Sequence, residues 1–231
     1  MIRKFLLTAA LAVTAALAAP SASQAAFTLT FQVGANTLVV TDNGVGDSNP
    51  LAGKIDVNPL TPAFFGYDLS EYGARTSSPG TLGDEYVLSQ RGQITKTDNS
   101  AAPLKVTVFS DGFVQTGFGL TVANRLANTL LQGTGVTTTG QTTVTPGGVS
   151  PLATVSTNGG SDNTFFNTTT VGTFSMSNEF NISGLNKGKS YVGSLTTAAF
   201  VPTPAPAGLI LAALGLPAFG LLRRKFRKVI A

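Results

Sequence analysis

No His, Cys or Trp occurs anywhere in the 231 residues. The missing imidazoles and thiols exclude zinc sites of the His/Cys type, disulfides, Cys-linked haem, thiol nucleophiles and every catalytic triad that relies on a histidine base. Charge is also scarce. Asp, Glu, Lys and Arg make up 11 % of the chain, against about a quarter of an ordinary soluble domain. With 42 % hydrophobic residues the chain is nonetheless able to build a core, so disorder driven by net charge is excluded as well.

The charge that exists is unevenly placed. The formal net charge is +4, yet all of the excess lies at the ends. Arg3 and Lys4 open the chain, and Arg223, Arg224, Lys225, Arg227 and Lys228 close it. Between them, eight Lys and Arg face all eleven Asp and Glu, so the body carries −3. Between Arg125 and Lys187 the only charges are Asp162 and Glu179. That spacing excludes a phosphate-tracking stripe along the sequence, and no nucleic-acid partner is expected.

Residues 1–25 have the layout of a secretory signal peptide. Arg3-Lys4 precedes an apolar run over 5–19, Pro20 ends the helix-forming stretch, and Ser23-Gln24-Ala25 supplies small residues ahead of a cleavage site between Ala25 and Ala26. The run is shorter than the ~20 apolar residues a spanning helix needs. Export is the expectation, which makes the lack of cysteine a choice of scaffold and not the mark of a reducing compartment.

Residues 205–222 (APAGLILAALGLPAFGLL) form the chain's other long uncharged apolar stretch. At about 1.5 Å per residue it covers about 27 Å as a helix, close to the thickness of a hydrocarbon core. The basic cluster that follows stays on the cytoplasmic side, which puts the body outside. Ahead of the helix, Val201-Pro202-Thr203-Pro204-Ala205-Pro206 has proline at every second position, a pattern that is extended and stiff. This order of proline-bracketed motif, single spanning helix and Arg-rich tail resembles the PEP-CTERM sorting signal processed by bacterial exosortases. The resemblance covers residues 201–231 together with the signal peptide. Pro202 and Pro204 match the two prolines of the motif, Arg223, Arg224 and Lys225 match its basic stop, and Thr203 stands where the family carries Glu. The resemblance implies an exosortase-type processing enzyme as a partner, a membrane as host of the C-terminal helix before processing, and the envelope or an extracellular polysaccharide matrix as destination.

The body, 26–200, is rich in Thr, Ser, Asn and Gly, which favours strands and turns over long helices. Alternation with period two is visible over 27–33, 104–108 and 173–182, with shorter candidates at 37–41, 85–89 and 191–196. Turn signals fall at Asp42-Asn43-Gly44, Ser78-Pro79-Gly80, Asp111-Gly112, Pro146-Gly147-Gly148, Asn158-Gly159-Gly160 and Asn186-Lys187-Gly188. The only helix-like stretch is 123–131. In the Thr- and Gly-rich stretch 134–163 we expect two strands, 136–145 and 152–157, around a loop at 146–150. The fold expected is an all-β, jelly-roll-like antiparallel sandwich, closing its core without disulfides.

Three clusters carry candidate chemistry. Asp42, Asn43, Asp47 and Asn49 crowd oxygen ligands of the calcium type into one Gly-rich loop; the same residues are also the ordinary makings of a tight turn. No other metal or cofactor is expected. Asp68, Glu71 and Arg75 share either a helical face or a surface loop, and Asp84-Glu85 adds two carboxylates that one strand would point to opposite faces. The leading expectation is a non-catalytic envelope or matrix protein with a structural or adhesive sandwich. The alternative is a secreted carbohydrate-binding or carbohydrate-active module built on Asp68, Glu71, Asp84 and Glu85.

Overall fold

A computed structural model describes residues 25–57, 63–69, 71–78, 85–115 and 119–200. The strands in chain order are β1 (Phe27–Val33), β2 (Asn36–Thr41), β3 (Lys54–Val57), β4 (Tyr67–Asp68), β5 (Tyr72–Thr76), β6 (Glu85–Lys96) and β7 (Leu104–Gln115). They continue with β8 (Leu120–Leu131), β9 (Thr137–Thr145), β10 (Gly148–Val149), β11 (Ala153–Val155), β12 (Ser161–Thr168), β13 (Gly172–Ser183) and β14 (Ser190–Phe200). All pairings are antiparallel and sort into two seven-stranded sheets. Sheet A runs β10-β9-β13-β7-β1-β2, with β11 beside β10 on β9; sheet B runs β12-β8-β14-β6-β5-β3, with β4 beside β5 on β6. The two sheets pack as a sandwich, as an antiparallel reading of the sequence predicts.

From β6 onward the chain changes sheet at almost every step: β6 to β7, β7 to β8, β8 to β9, β11 to β12, β12 to β13 and β13 to β14 all cross. The result is a central four-strand order β6-β14-β8-β12 facing β7-β13-β9-β11. The first strands extend both sheets at one side, β1 and β2 on β7, and β3 and β5 on β6.

Alternation builds the core. Phe27, Leu29, Phe31 and Val33 of β1 are buried while Thr28, Thr30 and Gln32 stay partly exposed. Four aromatic contacts join the sheets. Phe31 of β1 meets Tyr72 of β5 edge-on at 5.3 Å, and Tyr86 of β6 stands edge-on to Phe113 and Phe174 at 5.9 and 5.2 Å. Phe180 of β13 lies 5.2 Å from Tyr191 of β14. Each such pair adds about 0.5–1.5 kcal/mol beyond the area it buries.

The interior also holds a polar network. Asn178 on β13 is fully buried; its Nδ2 donates to the Leu88 carbonyl at 2.9 Å, and its own carbonyl accepts from Gln90 Nε2 at 3.3 Å. The hydroxyls of Thr142 (β9) and Thr197 (β14) lie 2.6 Å apart and reach Asn178 Oδ1 at 3.0 and 2.7 Å. Tyr72 donates to Gln90 Oε1 at 2.9 Å. Buried polar groups tolerate this setting only when paired, so the network ties one register of sheet A to one register of sheet B.

Several expectations need correction. The stretch 123–131 is not helical but lies within β8, whose inward positions include Asn124 and Asn128; two buried asparagines hide the apolar alternation. Asp111-Gly112 is not a turn between strands but a bulge inside β7. Phe113 pairs with Phe174 and Ser110 with Met176, so Asp111 and Gly112 together oppose Ser175 alone. Gly112 takes φ +76° there, where a residue without Cβ is favoured. Asp68, Glu71 and Arg75 share no helix, since they fall on β4, the turn after it and β5. The loop expected over 146–150 contains the short strand β10, while the flanking strands are close to those expected, at Thr137–Thr145 and Ala153–Val155.

Candidate functional site

The loop between β2 and β3 is organised by its own carboxylates. Asp47 Oδ2 accepts the Asn43 N–H at 2.9 Å, and Asp47 Oδ1 accepts the N–H groups of Asn49 and Asp56 at 2.8 and 3.0 Å. Asp42 Oδ2 accepts the Gly53 N–H at 2.7 Å. Asn49 donates from Nδ2 to Asp56 Oδ2 at 2.6 Å and accepts the Leu51 N–H at 3.0 Å. Four of the candidate calcium oxygens, both of Asp47, Oδ2 of Asp42 and Oδ1 of Asn49, are thus engaged by backbone N–H groups, as in Asx turns. Among the described residues no group of three or more His, Cys, Asp or Glu is close enough to hold a metal ion.

The other carboxylates are dispersed. Asp68 pairs in register with Thr95 on β6. Glu71 is exposed, with φ +58°, at the turn into β5. Asp84 lies outside the described residues and Glu85 is the first residue of β6. Glu71 does share a setting that the sequence did not suggest: with Asp56, Gly73 and Arg91 it lines a hollow of about 270 Å³.

That hollow opens onto the outer face of sheet B, where registers set residues in rows across the strands. One row runs Lys54, Arg75, Ser89, Thr196, Arg125, Asn163, on β3, β5, β6, β14, β8 and β12. The next runs Asp56, Gly73, Arg91, Ser194, Ala127, Ser161. On the other side of the first row lie Val87, Ala198, Ala123 and Phe165, the last 63 % exposed. Residues of the opposite parity, such as Leu88, Gln90, Asn124, Leu126 and Thr197, are buried, so these rows point outward.

Arg75, Arg91 and Arg125 are exposed, and neither they nor Lys54 form an ion pair or hydrogen bond with another side chain among the described residues. The one ion pair among those residues, Lys105 to Glu179 at 2.5 Å, sits on the outside of sheet A. Desolvation raises the Glu179 pKa, but hydrogen bonds from Lys105 and Asn181 and the Lys105 charge outweigh it, and the net shift is downward. Between the arginines the face is low. Arg75, Arg91, Ser89, Ser194 and Thr196 ring a second hollow of about 310 Å³ that shares Asp56 and Gly73 with the first. A side chain at Gly73 would crowd this shared edge, because a Cβ there would come within 2.6 Å of Asp56 Oδ1.

At the start of the domain, Ala26 donates its N–H to Asp111 Oδ1 at 2.5 Å. Pro202, Thr203, Pro204, Arg223, Arg224, Lys225, Arg227 and Lys228, with the apolar stretches 5–19 and 205–222, lie outside the described residues. Among the described residues no helix is long and apolar enough to cross a membrane. Sequence reading missed the cation rows, because strand parity marks Arg91 and Arg125 as outward but gives no sign that β14 lies between their strands.

No protein-family model matches the chain, and no curated protein matches it.

Proposed function

We propose that this chain is an exported, non-catalytic protein of the cell envelope or extracellular matrix, sorted through its PEP-CTERM-like C-terminus, with a jelly-roll ectodomain in a structural or adhesive role. The observation that carries the reading is the fit between the folded domain and the segments that flank it. β1 begins at Phe27, just after the small-residue site at Ala25 and Ala26, and β14 ends at Phe200, next to the motif Pro202-Thr203-Pro204. The described strands thus fill the interval between the two segments read as targeting signals. The jelly-roll assignment is supported by the strand order β6-β14-β8-β12 against β7-β13-β9-β11, the nested order of two Greek keys. The non-catalytic assignment is supported by a chain without His or Cys, whose loop carboxylates accept backbone N–H groups.

On this reading the apolar stretch 205–222 holds the chain in the membrane with Arg223, Arg224, Lys225, Arg227 and Lys228 on the cytoplasmic side. An exosortase-type enzyme then acts at the stiff segment around Thr203. The carbohydrate-active alternative retains one supporting observation, the shared hollow of Asp56 and Glu71.

Intact-mass analysis of the native protein from envelope and medium fractions tests the proposal. It expects an N-terminus at Ala26 and a C-terminus near 203–205. A chain still ending at Ala231 in every fraction overturns the sorting reading and leaves a single-span anchor. Hydrolysis of a glycoside panel by the purified protein overturns the non-catalytic one.

A further inference from the structure

We propose that the outer face of sheet B binds an acidic polysaccharide, with carboxylated sugars held by Arg75, Arg91, Arg125 and Lys54. The sequence gives the body a net −3, so a concentration of cations on one face is a local property created by the fold. Four of the eight body cations stand on four strands of this face, and none forms an ion pair with a described side chain, although Asp56 and Glu71 border the hollow beside Arg91. Arginine left unpaired in water is a fork of donors suited to carboxylate.

The geometry favours a chain-like occupant over a small one. Arg75 and Arg125 lie in the same row three strand steps apart, about 14 Å at the usual interstrand spacing. The full row from Lys54 to Asn163 crosses six strands, or about 24 Å. Between the cations stand Ser89, Thr196, Ser194 and Gly73, short enough to leave an open trough and mostly able to hydrogen-bond sugar hydroxyls. The flanking row ends in the exposed ring of Phe165, a platform for the apolar face of a sugar. Asp56 and Glu71 stand at the β3–β5 rim, and the row between Arg75 and Arg125 contains no carboxylate. Two exposed rings, Phe165 on β12 and Phe200 on β14, stand two strands apart on this face and offer no succession on which nucleic-acid bases would stack, which sets a polysaccharide above a single-stranded nucleic acid.

The proposal deepens the matrix reading given above and rests on it for where the polymer is met. Full-length protein in detergent micelles is run through native gels cast with alginate, a polymer of carboxylated sugars, or with neutral dextran. Parallel binding assays use a single-stranded oligonucleotide and phosphatidylglycerol vesicles. Retardation by alginate that weakens as salt rises is expected, with none by dextran. The double variant Arg75→Ser/Arg125→Ser is expected to lose at least about tenfold in affinity, as removal of two charge-assisted contacts implies. Phe165→Ala is expected to weaken binding to a lesser degree, and Lys105→Ala, on the opposite sheet, not at all. Both arginines are exposed, and matching thermal midpoints confirm that the variants fold. No retardation, equal retardation by dextran, unchanged binding by the double variant, or tighter binding to the oligonucleotide or the vesicles overturns the proposal. These outcomes are independent of the termini, so a processed protein that ignores alginate refutes this site and leaves the sorting reading standing.

Discussion

Ala26 and Asp111 hold each other at two points: the Asp111 N–H donates to the Ala26 carbonyl at 3.1 Å, and the Ala26 N–H donates to Asp111 Oδ1 at 2.5 Å. Cleavage between Ala25 and Ala26 turns that amide into an α-ammonium group beside the same carboxylate, so a neutral donor becomes a charged one. Asp111→Asn is therefore expected to destabilise the processed chain by about 1 kcal/mol, the discount for a partly exposed pair included. It should have a smaller effect on the chain that begins at Met1. Urea denaturation of both forms checks this, and the difference should shrink in high salt.

The buried network gives an opposing pair of predictions. Asn178→Ala strips its side-chain partner from Thr142, Thr197 and the Leu88 carbonyl, or leaves them to compete for what remains, while Gln90 keeps the backbone carbonyl of residue 178. A loss on the order of 1–3 kcal/mol is expected, since buried groups are left unpaired. Thr164, by contrast, holds a buried hydroxyl without a partner among the described residues. Thr164→Val should be neutral or stabilising by up to about 1 kcal/mol. Denaturant midpoints at constant slope distinguish the two signs.

Ionisation of buried tyrosines should destabilise the domain at alkaline pH. Burial raises the pKa of Tyr191, and burial raises that of Tyr72 too, with the charge of Tyr191 contributing. A tyrosine with a raised folded pKa keeps its proton more tightly in the native state. Its stabilisation is whole below the unfolded value of about 10 and is lost as pH rises above it, by about 1.4 kcal/mol per pH unit for each group. With no His or Cys in the chain, the melting temperature should be nearly flat between about pH 6 and 9 and fall above 10. Tyr191→Phe should flatten part of that alkaline slope, because its hydroxyl makes only a long contact, 3.5 Å, to the Ala127 carbonyl.

The Asp47 turn yields a test of the calcium candidate. Asp47→Ala removes the acceptor of three N–H groups, and a loss on the order of 1–3 kcal/mol follows if they are shielded from water. Because these oxygens already serve the backbone, millimolar calcium and a chelator should give the same thermal midpoint. A midpoint that rises with calcium would mean that the loop exchanges N–H donors for the ion.

Legibility in the sequence tracked how each inward position was filled. β1 could be read because Phe27, Leu29, Phe31 and Val33 are all apolar, and β13 because Phe174, Met176, Phe180 and Ile182 share a parity. The missing member of that series, Asn178, is the centre of the polar network; only its partners on three other strands, invisible in one dimension, make an inward Asn acceptable. The same effect disguised β8 as helix through Asn124 and Asn128. Asp111-Gly112 read as a turn because a bulge asks for the same positive φ as a turn does. The cation rows were beyond reach for another reason: Arg75 and Arg125 are fifty positions apart in the chain, and only β6 and β14 between them bring them to one level.

The order of the strands also bears on the order of events. β13 and β14 are made last, yet β13 sits between β9 and β7 and β14 between β8 and β6. A polypeptide threaded through a narrow pore with its N-terminus leading presents sheet A without β13 until residue 183 is through, and sheet B without β14 until residue 200 is. For a chain exported as proposed, sheet A receives its middle strand first, and sheet B only when residues 201–231 alone remain behind.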